Sequence, residues 1–307
     1  MLFQHDLHIH THCSCDSACA SIDKIMEAGK KMGYRHFGIS DHLHTHFNLP
    51  DIEVARKEFM ETERPANFHF GLEITCATQW ECEKIARRDY TSCFTYILNG
   101  TPFRTITPID GVMYGGPPDG PLYLDITREE MERLGIEYII GGVHKPNYTR
   151  QEPRPMIDDY FNQMCFMLAD DRIDIIAHPW WALPFWSSYA ILSGNTQDQN
   201  YDSYRMIPRE YWDELARRFV QSGKLAELNS GFLLSRDNMP EEILSFYLEK
   251  MTEWKEKGVK FSFGSDLHRS EYQYEDVYRF EELLKSFGFA EKDFDLPEKL
   301  QTGYDSK

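Results

Sequence analysis

Short apolar runs alternate along this chain with stretches whose apolar residues recur every three or four positions, and the two patterns succeed one another repeatedly. The short runs predict strands over 2–9, 36–40, 68–74, 138–143, 174–177, 225–228 and 260–264. Helical periodicity falls between them. Ile22, Ile25, Met26 and Met32 form one stripe, with Ser21 placed to cap its start and Gly33 to end it. Thr127 and Glu130 have capping-box spacing ahead of Met131 and Leu134. Further stripes run through Ile157, Phe161, Met164 and Leu168, through Tyr211, Leu215 and Phe219, through Leu244, Leu248 and Met251, and through Phe280, Leu284 and Phe287. These are core-facing surfaces and carry no function of their own. Seven strands interleaved with helices predict an α/β fold with a parallel sheet and helices outside it.

Two stretches break the alternation. Residues 99–120 are rich in Gly, Pro and Thr and predict a loop or small hairpin inserted between the third and fourth strands. Residues 180–207 are aromatic and polar without helical period, as expected of a lid or a surface excursion.

Composition narrows the setting. The chain has 307 residues, enough for one large core, and the reading is a single domain over 1–307. With 33 basic against 50 acidic residues the net charge is -17, which disfavours long nucleic acid as a partner. Neither a signal peptide nor a membrane-spanning run is evident, and the seven Cys show no disulfide spacing, so a reducing cytoplasm is expected. Oligomeric state is left open.

The chemistry lies in where His, Asp and Glu fall relative to the strands. Strand one ends in Asp6-Leu7-His8-Ile9-His10, and alternation points His8 and His10 the same way, so they can share a cation. Strand two runs into Ser40-Asp41-His42, strand three into Gly71-Leu72-Glu73, strand four into Gly141-Gly142-Val143-His144 and strand five into Ala177-His178-Pro179. Strand six carries Glu227-Leu228-Asn229, and strand seven leads into Gly264-Ser265-Asp266-Leu267-His268. Every predicted strand thus delivers a potential ligand at its C-terminal end, where β/α barrels build their active sites. Imidazole and carboxylate suit zinc, manganese and iron, and a carboxylate can bridge two ions. His44 and His46 fall beyond the second strand and are expected to be solvated, while Cys13, Cys15 and Cys19 are expected to be free thiols.

In order and spacing, these motifs resemble the polymerase-and-histidinol-phosphatase (PHP) superfamily over nearly the whole chain. The resemblance implies a distorted seven-stranded (β/α)7 TIM-like barrel with two to three divalent ions. It implies a first metal on His8, His10, Glu73 and Asp266, a second on Glu73, His144 and His178 with Glu73 bridging, and a third on Asp16, His42 and His268. The histidinol-phosphatase branch is the most similar: Glu227-Leu228-Asn229-Ser230-Gly231 with Arg236 and Pro240 resembles the segment that offers an Arg to the substrate phosphate. Lys145, Arg150, Arg154 and Arg269 are further phosphate-clamp candidates, and Asp266 or His178 could assist proton transfer. Lys145-Pro146, Trp180-Trp181 and the insertion depart from that branch. The expected activity is hydrolysis of a small phosphomonoester, such as histidinol phosphate, by a hydroxide bridging two cations. An oligonucleotide phosphodiesterase, an amidohydrolase-type C–N hydrolase and a non-catalytic metal-binding module are the alternatives.

Overall fold

The computed structural model describes residues 1–89, 94–98, 101–105, 117, 120–145, 147, 153–181, 183–184, 201–234 and 239–301. Its strands, in chain order, are β1 (His5–Asp6), β2 (His36–Ile39), β3 (His42–Leu43), β4 (Phe68–Thr75), β5 (Ala77–Thr78), β6 (Phe94–Leu98), β7 (Thr101–Thr105), β8 (Leu122–Tyr123), β9 (Tyr138–Gly142), β10 (Ile175–Ile176), β11 (Leu225–Asn229) and β12 (Phe261–Gly264). Seven of them pair in the order β1-β2-β4-β9-β10-β11-β12, every pair parallel, and β3 adds to β4. An isolated parallel bridge between Ile9 and Leu267 joins the first strand to the last, so the sheet curls into the distorted TIM-like barrel.

That seam explains why β1 is far shorter than the predicted run over 2–9. Phe263 donates its backbone N–H to His5 Nε2 at 3.1 Å, and Ser265 N–H donates to Asp6 Oδ1 at 3.1 Å. Side chains of the first strand stand in for its carbonyls there. The backbone ladder resumes at the mouth, where Asp266 N–H meets the His8 carbonyl at 2.8 Å and His10 N–H meets the Leu267 carbonyl at 3.1 Å.

Alternation sorts the side chains into two layers. Ile139 of β9 and Phe70, Leu72 and Ile74 of β4 face the outer core against the helices, with Trp212, Phe219, Met251, Trp254 and Phe280. Tyr138, Ile140, Ile175, Ala177 and Leu225 fill the barrel interior. Tyr138 is the plug. A Cβ at Gly71 would lie 2.6 Å from Tyr138 Cε1, so only glycine leaves room for the ring, whose hydroxyl reaches the Leu7 and Ile39 carbonyls at 2.6 and 2.9 Å. The interior is packed below the mouth and polar at it.

The helices begin and end where their punctuation directs. Ser21 accepts from Lys24 N–H and Gly33 closes Ile22–Met32 at φ 71°, while Thr127 and Glu130 form the capping box of Arg128–Leu134. The four later stripes lie on Pro153–Ala169, Arg209–Ser222, Glu241–Glu256 and Tyr274–Ser286. No helix among the described residues is long and apolar enough to cross a membrane.

The insertion differs from its predicted extent. An antiparallel hairpin, β6 with β7, starts at Phe94, and the antiparallel pair β5–β8 ties the base of the excursion to the barrel. Its first strand, Phe94–Leu98, precedes the Gly-, Pro- and Thr-rich stretch that delimited the insertion in the sequence. Within 180–207, Trp180 and Tyr204 are fully buried and belong to the core, the latter on the 3-10 helix Tyr201–Met206; the intervening 185–200 lie outside the described residues.

His46 also departs from expectation. Its Nδ1 lies 2.5 Å from Asp125 Oδ1 and its Nε2 2.8 Å from Glu130 Oε1, so it fastens the segment after β3 to the segment before β9. Hydrogen bonding to Asp125 raises its pKa to about 9 despite partial burial. A raised value stabilises the fold fully below the ordinary imidazole pKa near 6.5 and loses that contribution as pH rises through about 9. Because the ring is about one-third exposed, solvent screening leaves on the order of 1 kcal/mol. His46→Ala should therefore lower the melting temperature relative to wild type at pH 6 to 6.5, and the gap should close by pH 9.5, as followed by circular dichroism.

Candidate metal centre

Six imidazoles and three carboxylates from different segments converge at the C-terminal end of the barrel strands. On β4 alternation turns Glu73 inward, and it is fully buried. Its two oxygens serve different neighbours. Glu73 Oε2 lies 3.1 Å from His8 Nε2 and 3.4 Å from His10 Nε2, and those same nitrogens lie 3.3 and 3.2 Å from Asp266 Oδ1. The two imidazole nitrogens are 3.1 Å apart. A tetrahedral ion with ligand bonds of about 2.0 to 2.1 Å has ligand–ligand edges of about 3.3 to 3.4 Å, so these four atoms are spaced as a coordination shell. Glu73 Oε1 lies 2.9 Å from His144 Nε2 and 3.2 Å from His178 Nε2, which makes a second set sharing the same carboxylate.

A third set adjoins the first. Asp16 Oδ2 lies 3.2 Å from His42 Nε2 and pairs with His268 Nε2, while His42 Nδ1 is 3.0 Å from Glu73 Oε2. All nine residues expected to hold metal are therefore gathered in three groups joined through Glu73 and His42. Fit to cations is supported by the atoms left over: Glu73 Oε2 and Asp16 Oδ1 are buried without a hydrogen-bond partner, which an anionic oxygen tolerates only when a cation answers it.

Backbone detail makes the convergence possible. Ala177 faces the interior, so strict alternation would turn His178 outward, and its φ of 24° bends it back; Asp266 also sits at a positive φ, 52°. Glycine supplies space at two strand ends. A Cβ at Gly142 would collide with the His144 ring and come within 2.7 Å of Glu73 Oε1, and one at Gly264 would collide with Glu227.

A surrounding layer fixes the imidazoles. Glu227 Oε1 lies 2.6 Å from His8 Nδ1, and its Oε2 accepts from His178 N–H at 2.8 Å and from Asn229 Nδ2 at 3.0 Å. A carboxylate on the remote nitrogen orients a ligating imidazole and raises its basicity. Thr75 Oγ1 contacts His144 Nδ1 at 2.7 Å and His44 Nδ1 at 2.6 Å. His44 is thus buried beside the cluster, 4.9 Å ring to ring from His42, rather than solvated, because β3 continues the alternation that turns His42 inward. Asp41 accepts from Thr11 N–H at 2.6 Å and from its hydroxyl at 2.7 Å, tying β2's end to the first loop; burial raises its pKa to about 6.

Without cations the charges must be balanced by protons. Burial opposes ionisation of Glu73, but His144, His8 and His42 outweigh it and hold the carboxyl well below its ordinary range. Burial likewise opposes a charge on His8, yet Glu227, Glu73 and Asp266 hold its pKa well above the usual value; Glu73 and Asp16 do the same for His42, at about 10. Burial and His42 push His10 down to about 3.

The phosphate-clamp candidates fare differently. Lys145 is buried with its ammonium on the buried Glu81, and Arg154 is exposed and paired to Asp158 at 2.8 Å. Arg269 is exposed and lines a cleft of about 290 Å³ that borders Asp266 and His268 and is walled by Trp181, Phe232 and Asp276. Arg236 and Arg150 lie outside the described residues. Cys13, Cys15 and Cys19 form no disulfide among the described residues. Glu227 stood at a strand end in the sequence but its orienting role did not show there, and Thr75 carried only its inward position as a signal.

The chain matches the family model described as PHP domain over residues 6–231. No curated protein matches it. Among solved structures, the histidinol phosphate phosphatase HisK from Lactococcus lactis subsp. lactis Il1403, complexed with zinc, L-histidinol and phosphate, is 14% identical, with 93% of this chain and 94% of that chain covered at a TM-score of 0.51. A structure titled "putative histidinol phosphatase hisK" from Listeria monocytogenes is 10% identical, with 91% of this chain and 99% of that chain covered at a TM-score of 0.49. At these identities the likeness is one of fold.

Two outcomes are expected. Because protons held by His8 and His42 compete with cations, zinc affinity measured by competitive chelator titration should rise steeply between pH 6 and 8, with protons released on binding; a pH-independent affinity would refute the assignment. Gly142→Ala should cost bound metal, read by elemental analysis, while leaving the far-ultraviolet circular dichroism of the barrel unchanged.

Proposed function

Since the chain belongs to the PHP domain family, we propose that it is a metal-dependent phosphoesterase that hydrolyses a small phosphomonoester, with histidinol phosphate the leading substrate. The observation that carries the reading is Glu73, whose Oε1 faces His144 and His178 while its Oε2 faces His8, His10 and His42. On this reading His8, His10, Glu73 and Asp266 hold one cation, Glu73, His144 and His178 a second, and Asp16, His42 and His268 a third. Zinc, manganese and iron all suit these ligands. Bound there, divalent cations would bring the pKa of water near neutrality and offset charge on phosphoryl oxygens.

The chain's own groups do the rest. In the metal-free site burial opposes ionisation of Asp266, but His8, His10 and His268 outweigh it and hold the carboxyl well below its ordinary range; with cations in place of those protons it would stay ionised and could accept a hydrogen bond from the attacking water. Asn229 Nδ2 donates to its Oδ2 at 3.2 Å and leaves Oδ1 toward the first set. His178 is committed through Nε2 to the second set, which makes Asp266 the stronger candidate for proton movement. Arg269, at the edge of the cleft, can meet a phosphate oxygen with its planar fork. Trp181 and Phe232 offer apolar faces to a ring, and Asp276 a carboxylate to an amine. These are the parts that an aminoalkyl phosphate with an aromatic end would use. Small size also favours a monoester over a polynucleotide.

The test uses purified protein loaded with manganese or zinc and a panel holding histidinol phosphate, p-nitrophenyl phosphate and bis-p-nitrophenyl phosphate. Monoester turnover should vanish with complete metal removal and fall by about three orders of magnitude in Glu73→Gln. Asp276→Asn should raise KM for histidinol phosphate and leave p-nitrophenyl phosphate unaffected. Turnover that survives metal removal would sink the reading, and preference for the diester would replace it with a phosphodiesterase.

A further inference from the structure

His44 sits outside the nine ligands, yet its hydrogen bonding is fixed by one of them. Thr75 is fully buried, and its hydroxyl contacts two groups, His144 Nδ1 at 2.7 Å and His44 Nδ1 at 2.6 Å. A threonine hydroxyl has one proton to donate, and a buried donor left without an acceptor costs about 1 to 3 kcal/mol. That proton therefore goes to one of the two imidazoles. If His144 ligates a cation through Nε2, which faces Glu73 Oε1, then Nδ1 is its protonated nitrogen and donates to Thr75. The threonine proton can only go to His44 Nδ1. His44 then carries its own proton on Nε2.

The alternative tautomer fails. With a proton on His44 Nδ1, both imidazoles would donate to Thr75 and the buried hydroxyl proton would have no acceptor. Among the described residues no hydrogen bond engages His44 Nε2, and the residue keeps a small exposed fraction of 7%. The ring lies beside the cluster, 4.9 Å from His42 and 5.7 Å from His144, with a nitrogen of His44 within 4.8 Å of ligand nitrogens of both.

We propose that His44 is a substrate-binding residue that presents an Nε2–H donor, set by the Thr75 relay, to a phosphoryl oxygen held between the second and third ligand sets. The proposal rests on the metal-centre reading above and adds a donor that is not itself a ligand. It gives the site a polar contact aimed at phosphate without adding another fixed positive charge. No bond is made or broken by His44, so it acts on binding and orientation.

Replacements that mimic one nitrogen at a time test it. Glutamine places an amide N–H near the Nε2 position, whereas asparagine reaches only the Nδ1 position. Metal content by elemental analysis and affinity for inorganic phosphate by calorimetry are measured on zinc-loaded wild type, His44→Gln and His44→Asn. Metal content should be the same in all three. Phosphate affinity should fall by about ten- to a hundredfold in His44→Asn and by much less in His44→Gln. Nitrogen-15 NMR of zinc-loaded protein should show His44 protonated at Nε2. Equal phosphate affinity in wild type and His44→Asn, loss of metal in His44→Asn, or an Nδ1-protonated ring would each overturn the proposal. Zinc-loaded wild type that binds phosphate in this pattern but hydrolyses no monoester would instead count against the proposed activity alone.

Discussion

A carboxylate removed from water must be answered by positive charge, and the fully buried Glu73 sets that demand at the centre of this barrel. Nitrogens of His8, His10, His42, His144 and His178 all lie within 3.4 Å of its oxygens. They come from the ends of β1, β9 and β10 and from β3, segments far apart in sequence. Only a sheet whose strands run parallel, and whose first and last strands meet, brings those ends to one place. The fold is thus bound to the cluster by geometry, and the cluster to cations or protons by charge.

Rigidity around the centre follows from how each layer is filled. Tyr138 closes the interior beneath the ligands by occupying space that Gly38 and Gly71 leave open. Glu227 locks the His8 ring and also receives the His178 backbone N–H, so one side chain aligns a member of the first set and a member of the second. The seam between β1 and β12 uses His5 and Asp6 side chains where a ladder would use carbonyls. Asp6 also accepts from the Tyr272 hydroxyl at 2.7 Å, which anchors the last βα connection to the first strand. These contacts hold strained φ values at His178 and Asp266 that an isolated loop would relax.

Much of this was legible in the sequence because period-two alternation and strand ends are local properties. His8 and His10 flank outward-facing Ile9, and Glu73 sits between outward-facing Leu72 and Ile74, as alternation requires. What was not legible depends on register between strands. Glu227 and Asp266 both read as acids at strand ends, but Glu227 pairs opposite Ser262, four residues before Asp266, and so lies one layer deeper, where it orients an imidazole. Lys145 follows His144 and invited a phosphate role; its burial against Glu81 comes from a helix 64 residues away. His44 was expected to be solvated although it continues the alternation of His42 that turns it inward, and the partnership of Thr75 with two rings left no local signal. The His46 contacts likewise depend on where the inserted segment returns.

Charge also explains why binding of cation and of phosphate are a single electrostatic problem here. The chain carries a net charge of -17, and the mouth concentrates Asp16, Glu73, Glu227 and Asp266. A phosphate dianion approaching that set alone would be repelled, and the described basic side chains offer little help. Lys145 is already neutralised by Glu81, and among the described residues lining the cleft Arg269 is the one Lys or Arg. On the proposed reading, reversal of sign at the mouth would come from divalent cations on the imidazole and carboxylate sets. Once they do so, neutral donors become the useful remaining contacts, because they orient phosphate without binding the product too tightly to leave. A buried threonine that dictates the tautomer of a nearby histidine is one way for a strongly acidic chain to supply such a donor.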